Sequence, residues 1–225
     1  MNMNISPLVL SIKASFIATC ITSILGIILA YLMINFKGKY KGLLDGLLTL
    51  PLILPPTVVG FFLLLIFGKN GPIGKLLLLF DKSIIFSFSA TVIAAIVVSF
   101  PMMYRTTRSA FEQIDTNIIS AARTLGFSEL KIFYKIAIPL AMPGIIAGIT
   151  LSFSRAMGEF GATLMLAGNI PNKTQTIPLA IFFAVEGGDM KTAAIWVITI
   201  ILISFISIFI LNYWSERQLR IMGRK

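Results

Sequence analysis

Arg155 and Glu159 stand four residues apart in an otherwise apolar stretch. On a helix that spacing puts them on one face, where they can meet. Ionisable groups inside a membrane bundle are costly and are usually paired or functional. Two readings of the pair stay open. The two charges neutralise each other, or Arg155 helps an anion pass while Glu159 keeps it from binding too tightly. If both lie at depth, the pair can also act as a latch between conformations.

Little else in the chain could do chemistry. Histidine is absent, which removes His-based metal sites, general bases and pH switches. The one cysteine, Cys20, lies in an apolar run and excludes an internal disulfide or a Cys-rich cluster. Gly68 to Lys75 comes nearest to a phosphate loop, but five residues separate its glycines and Leu76 follows the lysine. No nucleophile is accompanied by a base. The chain is expected to be no enzyme and to hold no cofactor or metal.

The elements that position Arg155 and Glu159 must cross a membrane. Of 225 residues, 57% are hydrophobic and 12% charged, with mean hydropathy +0.93; a soluble domain carries about 25% charged residues. A crossing helix needs roughly 20 mostly apolar residues. Five segments qualify, near Leu8–Asn35, Leu43–Phe67, Ile84–Tyr104, Pro139–Phe160 and Thr192–Trp214. The expected fold is all-α, a single multi-span membrane domain over residues 1–225. Between Phe160 and Asp189, glycines and prolines break an apolar stretch into an irregular or re-entrant segment, with a sixth span as the less favoured alternative. Membranes tolerate such backbone only where protein or water surrounds it.

Charge sets the expected orientation. The net charge is +10, and in runs this apolar it points to loops before it points to nucleic acid, which is not an expected partner. Lys37, Lys39 and Lys41, then Arg105, Arg108, Arg123, Lys131 and Lys135, then Arg217, Arg220, Arg224 and Lys225 make up twelve of the nineteen basic residues. Five spans put all three groups on one side, the cytoplasm by the positive-inside rule. The N-terminus is then outside and the C-terminus inside. Lys13 snorkels to the outer headgroups, and Tyr213 and Trp214 form an interfacial anchor against lipid.

Pro51, Pro55 and Pro56 interrupt the second span, because proline removes a donor and clashes with the preceding turn. Thr57, Gly60, Gly158, Gly161 and Thr163 could line a water-filled path beside the freed backbone. Alternatively the prolines merely kink a helix for packing.

The stretch 105–138 is too polar to span and well patterned. Phe111, Ile114, Ile118, Ile119, Ala122 and Leu125 fall on one helical face. Asp115 caps a short helix running to about Leu125, Gly126 supplies a left-handed stop, and Ser128 caps a second helix with Glu129 in its first turn. Such a helix pair offers an apolar knob to a partner, or lies in the headgroup layer. Small residues at Ala121, Ala122 and Gly126 favour the partner.

The segment SAARTLGFSELKIFYKIAIPLAMPGI (Ser120–Ile145) resembles the EAA loop of ABC-transporter permeases, with Ser120 in place of the usual glutamate. LPLILPPTVVGF (Leu50–Phe61), FPMMYRTTRSAFEQID (Phe100–Asp115) and FSRAMGEFGATLMLAGNIPNKTQTIPLAIF (Phe153–Phe182) resemble molybdate permeases of the ModB type. The GEFGAT block is shared with sulfate permeases, whereas the stretch around Ile170 and Ile177 leans to molybdate.

This resemblance implies an ABC importer permease, a homodimer with the path at its interface. Two copies of a cytoplasmic ATPase would dock on Ala121, Ala122, Leu125, Gly126 and Phe127. An extracytoplasmic binding protein would deliver the oxyanion, molybdate or tungstate. The path would involve Pro55, Pro56, Thr57, Arg155, Glu159, Gly161 and Thr163. A sulfate or thiosulfate permease is the near alternative. An ion-coupled carrier is the distant one, and it lacks the inverted repeat expected of such carriers.

Overall fold

The computed structural model describes residues 4–221, and all regular structure among them is helical. Arg224 and Lys225 lie outside the described residues, as do the side chains of Trp214, Arg217 and Arg220. Among the described residues, four helices are long and apolar enough to cross a membrane, together with one bent pair.

The centre is built by α1 (Ser6–Asn35), α5 (Phe88–Glu112) and α8 (Ile138–Met157), which pack on one another. The sequence of α1 shows why. Ser11, Ser15, Ala18, Thr22, Gly26 and Ala30 recur every three or four residues and are buried, while Phe16, Ile24 and Leu32 face outward. A stripe of small residues lets backbones approach closely where lipid offers no hydrophobic drive for association. Met103 of α5 fills the space this creates, wedged between Gly26 of α1 and Gly148 of α8. The Thr22 and Ser152 hydroxyls hydrogen-bond at 3.0 Å across α1 and α8.

The expected second span is two helices, α2 (Lys41–Ile53) and α3 (Pro56–Phe67), bent by 114° where they meet. Pro55 and Pro56 cause the break: neither donates a backbone hydrogen bond, and each restricts the residue before it to extended conformations. The pair still traverses the bundle. Asp45 of α2 bonds Tyr104 and Arg108 near the end of α5. Val59 and Leu63 of α3 share a core with Ala90 and Ala94 near its start. A short helix α4 (Pro72–Leu78) follows at that far end.

The helix of the expected third span runs past Tyr104: α5 continues through Arg105 and Arg108 to Glu112. The loop 105–138 therefore shrinks to α6 (Thr116–Thr124), α7 (Glu129–Ile132) and short joints. From α7 the chain runs through a π turn, Phe133–Ala137, directly into α8. Pro139 explains that turn. Its ring would collide with the carbonyl four residues back, and the widened turn lets Ile138 N–H bond Phe133 O instead.

Between α8 and the last helix, α11 (Met190–Ile221), lie α9 (Gly161–Ala167) and α10 (Ile177–Glu186). At 1.5 Å per residue neither helix is long enough by itself to cross a bilayer. Several backbone groups of the irregular joint between them are satisfied internally, although the buried Asn169 Oδ1 and Thr176 hydroxyl have no partner among the described residues. The Thr174 hydroxyl accepts from Ile170 N–H and donates to Gly168 O, both at 3.0 Å. Ile177 N–H bonds the buried Ser11 hydroxyl at 2.8 Å. Asp189 caps α11, and its bonds from the Thr192 hydroxyl and amide hold its carboxyl below the usual range.

Candidate functional site: a helix elbow and a membrane-depth break

At one end of the bundle the chain turns sharply between α6 and α7. The Asp115 carboxylate caps α6 through Asn117 N–H at 2.8 Å. At its other end Gly126 adopts φ +77°. Gly126 N–H bonds Arg123 O at 2.9 Å and Phe127 N–H bonds Ala122 O at 3.1 Å. That pair of bonds is the Schellman stop, which requires the left-handed conformation glycine reaches at no steric cost. Ser128 then caps α7. Arg123 bonds Glu129 at 2.6 and 3.1 Å across the joint, and Lys131 covers the Phe127 ring. The two short helices are thereby held at a fixed angle.

The elbow presents an apolar tip. Leu125 is 75% exposed and Leu130 is exposed beside it. Ala121 and Gly126 are exposed too, and Phe127 is half-buried. Ala122 is 4% exposed and faces inward, where it builds the elbow. The apolar face expected from Phe111 to Leu125 is divided. Phe111 belongs to the core at the end of α5, while Ile118 and Leu125 point outward.

The second region lies where the α2–α3 break meets the turn from α8 into α9. Gly161 packs on Pro56 and Thr57: a β-carbon there would lie 3.1–3.2 Å from their atoms. Gly60 of α3 packs against the α9 backbone, where a β-carbon would lie 2.8 Å from Ala162 Cα. Arg155 Nη1 meets Glu159 Oε2 at 2.8 Å. The Glu159 side chain is 1% exposed, and its other oxygen accepts Ala162 N–H at 2.7 Å. Glu159 therefore satisfies one orphan amide of α9 and favours its positive end. Arg155 is 27% exposed, and Pro55, Thr57 and Gly158 are exposed as well.

The structure thus brings together Pro56, Thr57, Gly161, Glu159 and Arg155. Thr163 differs from them in being 1% exposed, buried within the packing. Of the two readings for the ion pair, the pairing itself is observed. Arg155 keeps part of its surface free, while the carboxylate is wholly engaged.

Sequence reasoning missed a third group. Asp45 accepts from the buried Tyr104 hydroxyl at 2.7 Å and pairs with Arg108, whose Nε bonds Glu112 at 2.8 Å. From the sequence, Arg105 and Arg108 read only as loop charge. The available signal was Asp45, the one acid among the residues of the second span, which needed a cation.

The chain matches the model of the family "Binding-protein-dependent transport system inner membrane component" over residues 22–221. A putative molybdenum transport system permease of Bacillus subtilis is 44% identical, covering 92% of each chain. The molybdenum transport system permease ModB of Haemophilus influenzae is 40% identical over 99% of this chain and 98% of its own. A sulfate transport system permease of Salmonella typhimurium is 32% identical over 92% of this chain and 75% of its own. A chain of the MetNI methionine ABC transporter shares the fold, with TM-score 0.74 and 14% identity over 96% of both chains. A helical bundle with a capped elbow and a broken span, matched over almost its whole length by permeases, belongs to the binding-protein-dependent transport system inner membrane component family of ABC transporters.

Proposed function

We propose that two copies of this chain form the membrane path of an ATP-driven importer for a tetrahedral oxyanion, molybdate or tungstate. Two copies of a separate ATPase subunit bind on the cytoplasmic side, and an extracytoplasmic binding protein delivers the anion. The N-terminus is outside and the C-terminus inside. The observation that carries this reading is the elbow. An exposed leucine on two capped helices, at the end of the bundle where basic residues gather, suits a groove on a partner better than headgroups. The molybdate relatives support the cargo, because their identity exceeds that of the sulfate permease over a similar share of this chain.

Transport in this reading is vectorial. ATP closes the ATPase pair, the elbows move with it, and the bundle changes facing. The ligand drives that change only by stabilising one facing over the other. The ion pair fits a path and not a store. Glu159 already neutralises Arg155 and occupies the start of α9, so an anion passing Arg155 meets attraction weak enough to leave again.

The test is reconstitution with the ATPase and the binding protein in proteoliposomes. Molybdate and tungstate should stimulate ATP hydrolysis and accumulate inside, and sulfate should not compete. Stimulation by sulfate alone would move the chain to the sulfate permeases. Loss of uptake when ion gradients collapse with ATP maintained would indicate an ion-coupled carrier.

A further inference from the structure

In the importer reading, movement of the elbow must reach the Pro55–Pro56 break. Between them lies α2, and its attachment to the bundle is distinctive. Leu43, Leu47, Leu50 and Ile53 are exposed, and Thr49 is its buried side chain. It packs on α5. The specific tie is polar: Asp45 with the Tyr104 hydroxyl and with Arg108, and Arg108 with Glu112. Glu112 is the last residue of α5, three before the Asp115 that caps the elbow. One guanidinium therefore joins the start of α2 to the point where α5 becomes the elbow. The far end of α2 runs through Leu54 into Pro55 and Pro56, beyond which α3 is locked on α9 through Gly60 and Gly161. Leucine contacts alone permit two helices to slide. Asp45 takes one bond from Arg108 Nη1 and one from the Tyr104 hydroxyl, two charge-assisted contacts to one helix that resist sliding, and Glu112 orients the guanidinium by bonding its Nε.

We propose that Arg108, held between Asp45 and Glu112, is a positioning residue for transport. It makes α2 move as one body with the elbow end of α5, so that ATPase motion arrives at the helix break. This rests on the importer reading and assigns it a transmission point.

The experiment compares wild type with Asp45→Asn and Arg108→Gln in the reconstituted complex, with molybdate as cargo. Asp45→Asn keeps an acceptor for Tyr104 and removes the charge that Arg108 needs. Both variants should retain the ATPase subunit and its hydrolysis, while molybdate imported per ATP falls about tenfold, as for a typical coupling between two sites. Arg108→Lys, which keeps the charge and loses the fork, should fall between. A role in folding alone would lower uptake and hydrolysis together, and that result, or an unchanged ratio, overturns the proposal. A second measurement needs neither variant. Spin labels at Leu47→Cys and Ser109→Cys, in a Cys20→Ser background, should keep one separation with and without trapped ATP. A separation that changes overturns the rigid tie. Failure of the wild-type complex to retain the ATPase or to import any oxyanion would instead refute the importer reading, so the two failures are distinguishable.

Discussion

The elbow at Gly126 and the break at Pro55–Pro56 are both places where a helix stops, and they stop for different reasons. The elbow is made by its own few residues: Asp115 caps, Gly126 turns left-handed, and Ser128 caps again. A β-carbon at Gly126 would meet nothing within 4 Å, so space is not what requires glycine there. The break is the reverse. Proline ends the helix locally, but what holds the ends is distant chain, with Gly60 pressed against α9, Gly161 of α9 pressed against Pro56 and Thr57, and Glu159 closing the turn. Local chemistry shapes the exposed elbow. Tertiary packing shapes the break.

Substitutions at the break should therefore be the costlier. Arg155→Met strands a carboxylate that is 1% exposed, and breaking such a pair costs about 3–5 kcal/mol. The loss should appear as a lowered melting temperature in detergent. Adding Glu159→Gln should recover most of it, since the glutamine oxygen still accepts from Ala162 N–H. A double variant as unstable as the single would show that Arg155 does something other than neutralise Glu159.

Gly60→Ala comes next. Its β-carbon would sit 2.8 Å from Ala162 Cα and Met165 Cβ, and overpacking of that kind costs about 1–3 kcal/mol. An unchanged melting temperature would mean that α3 and α9 part easily. At the elbow, Gly126→Ala should cost about 1 kcal/mol through backbone conformation alone. Gly126→Asn should be milder, because asparagine tolerates the left-handed region, and equal losses would contradict the conformational origin. Smallest of all is Ser120→Glu. Ser120 is exposed, and restoring the family's usual acid should leave uptake unchanged.

The same contrast decides what could be read from the sequence. Asp115, Gly126, Ser128 and Glu129 announce the elbow because caps and stops act within four residues. Long apolar runs announce the spans, and Pro55–Pro56 the interruption. The continuation of α5 to Glu112 was hidden because Arg105 and Arg108 look like loop charge, although α5 carries both and Arg108 is partnered by Asp45. The inward face of Ala122 was hidden too. Helical periodicity groups it with Leu125, and only the turn into α7 separates the two. Thr163 shows the limit at depth: a small polar residue in a glycine-rich turn can line a path or fill a core, and neighbours far away in the chain decide.

The most direct test is at Leu125, where the account's partner surface is exposed and its loss should leave the bundle intact. Leu125→Asp, purified with an unchanged melting temperature, should no longer retain the ATPase subunit in a detergent pull-down and should import no molybdate in proteoliposomes. Full retention and wild-type uptake in that variant would show that the elbow is not where the ATPase engages, and would contradict the account.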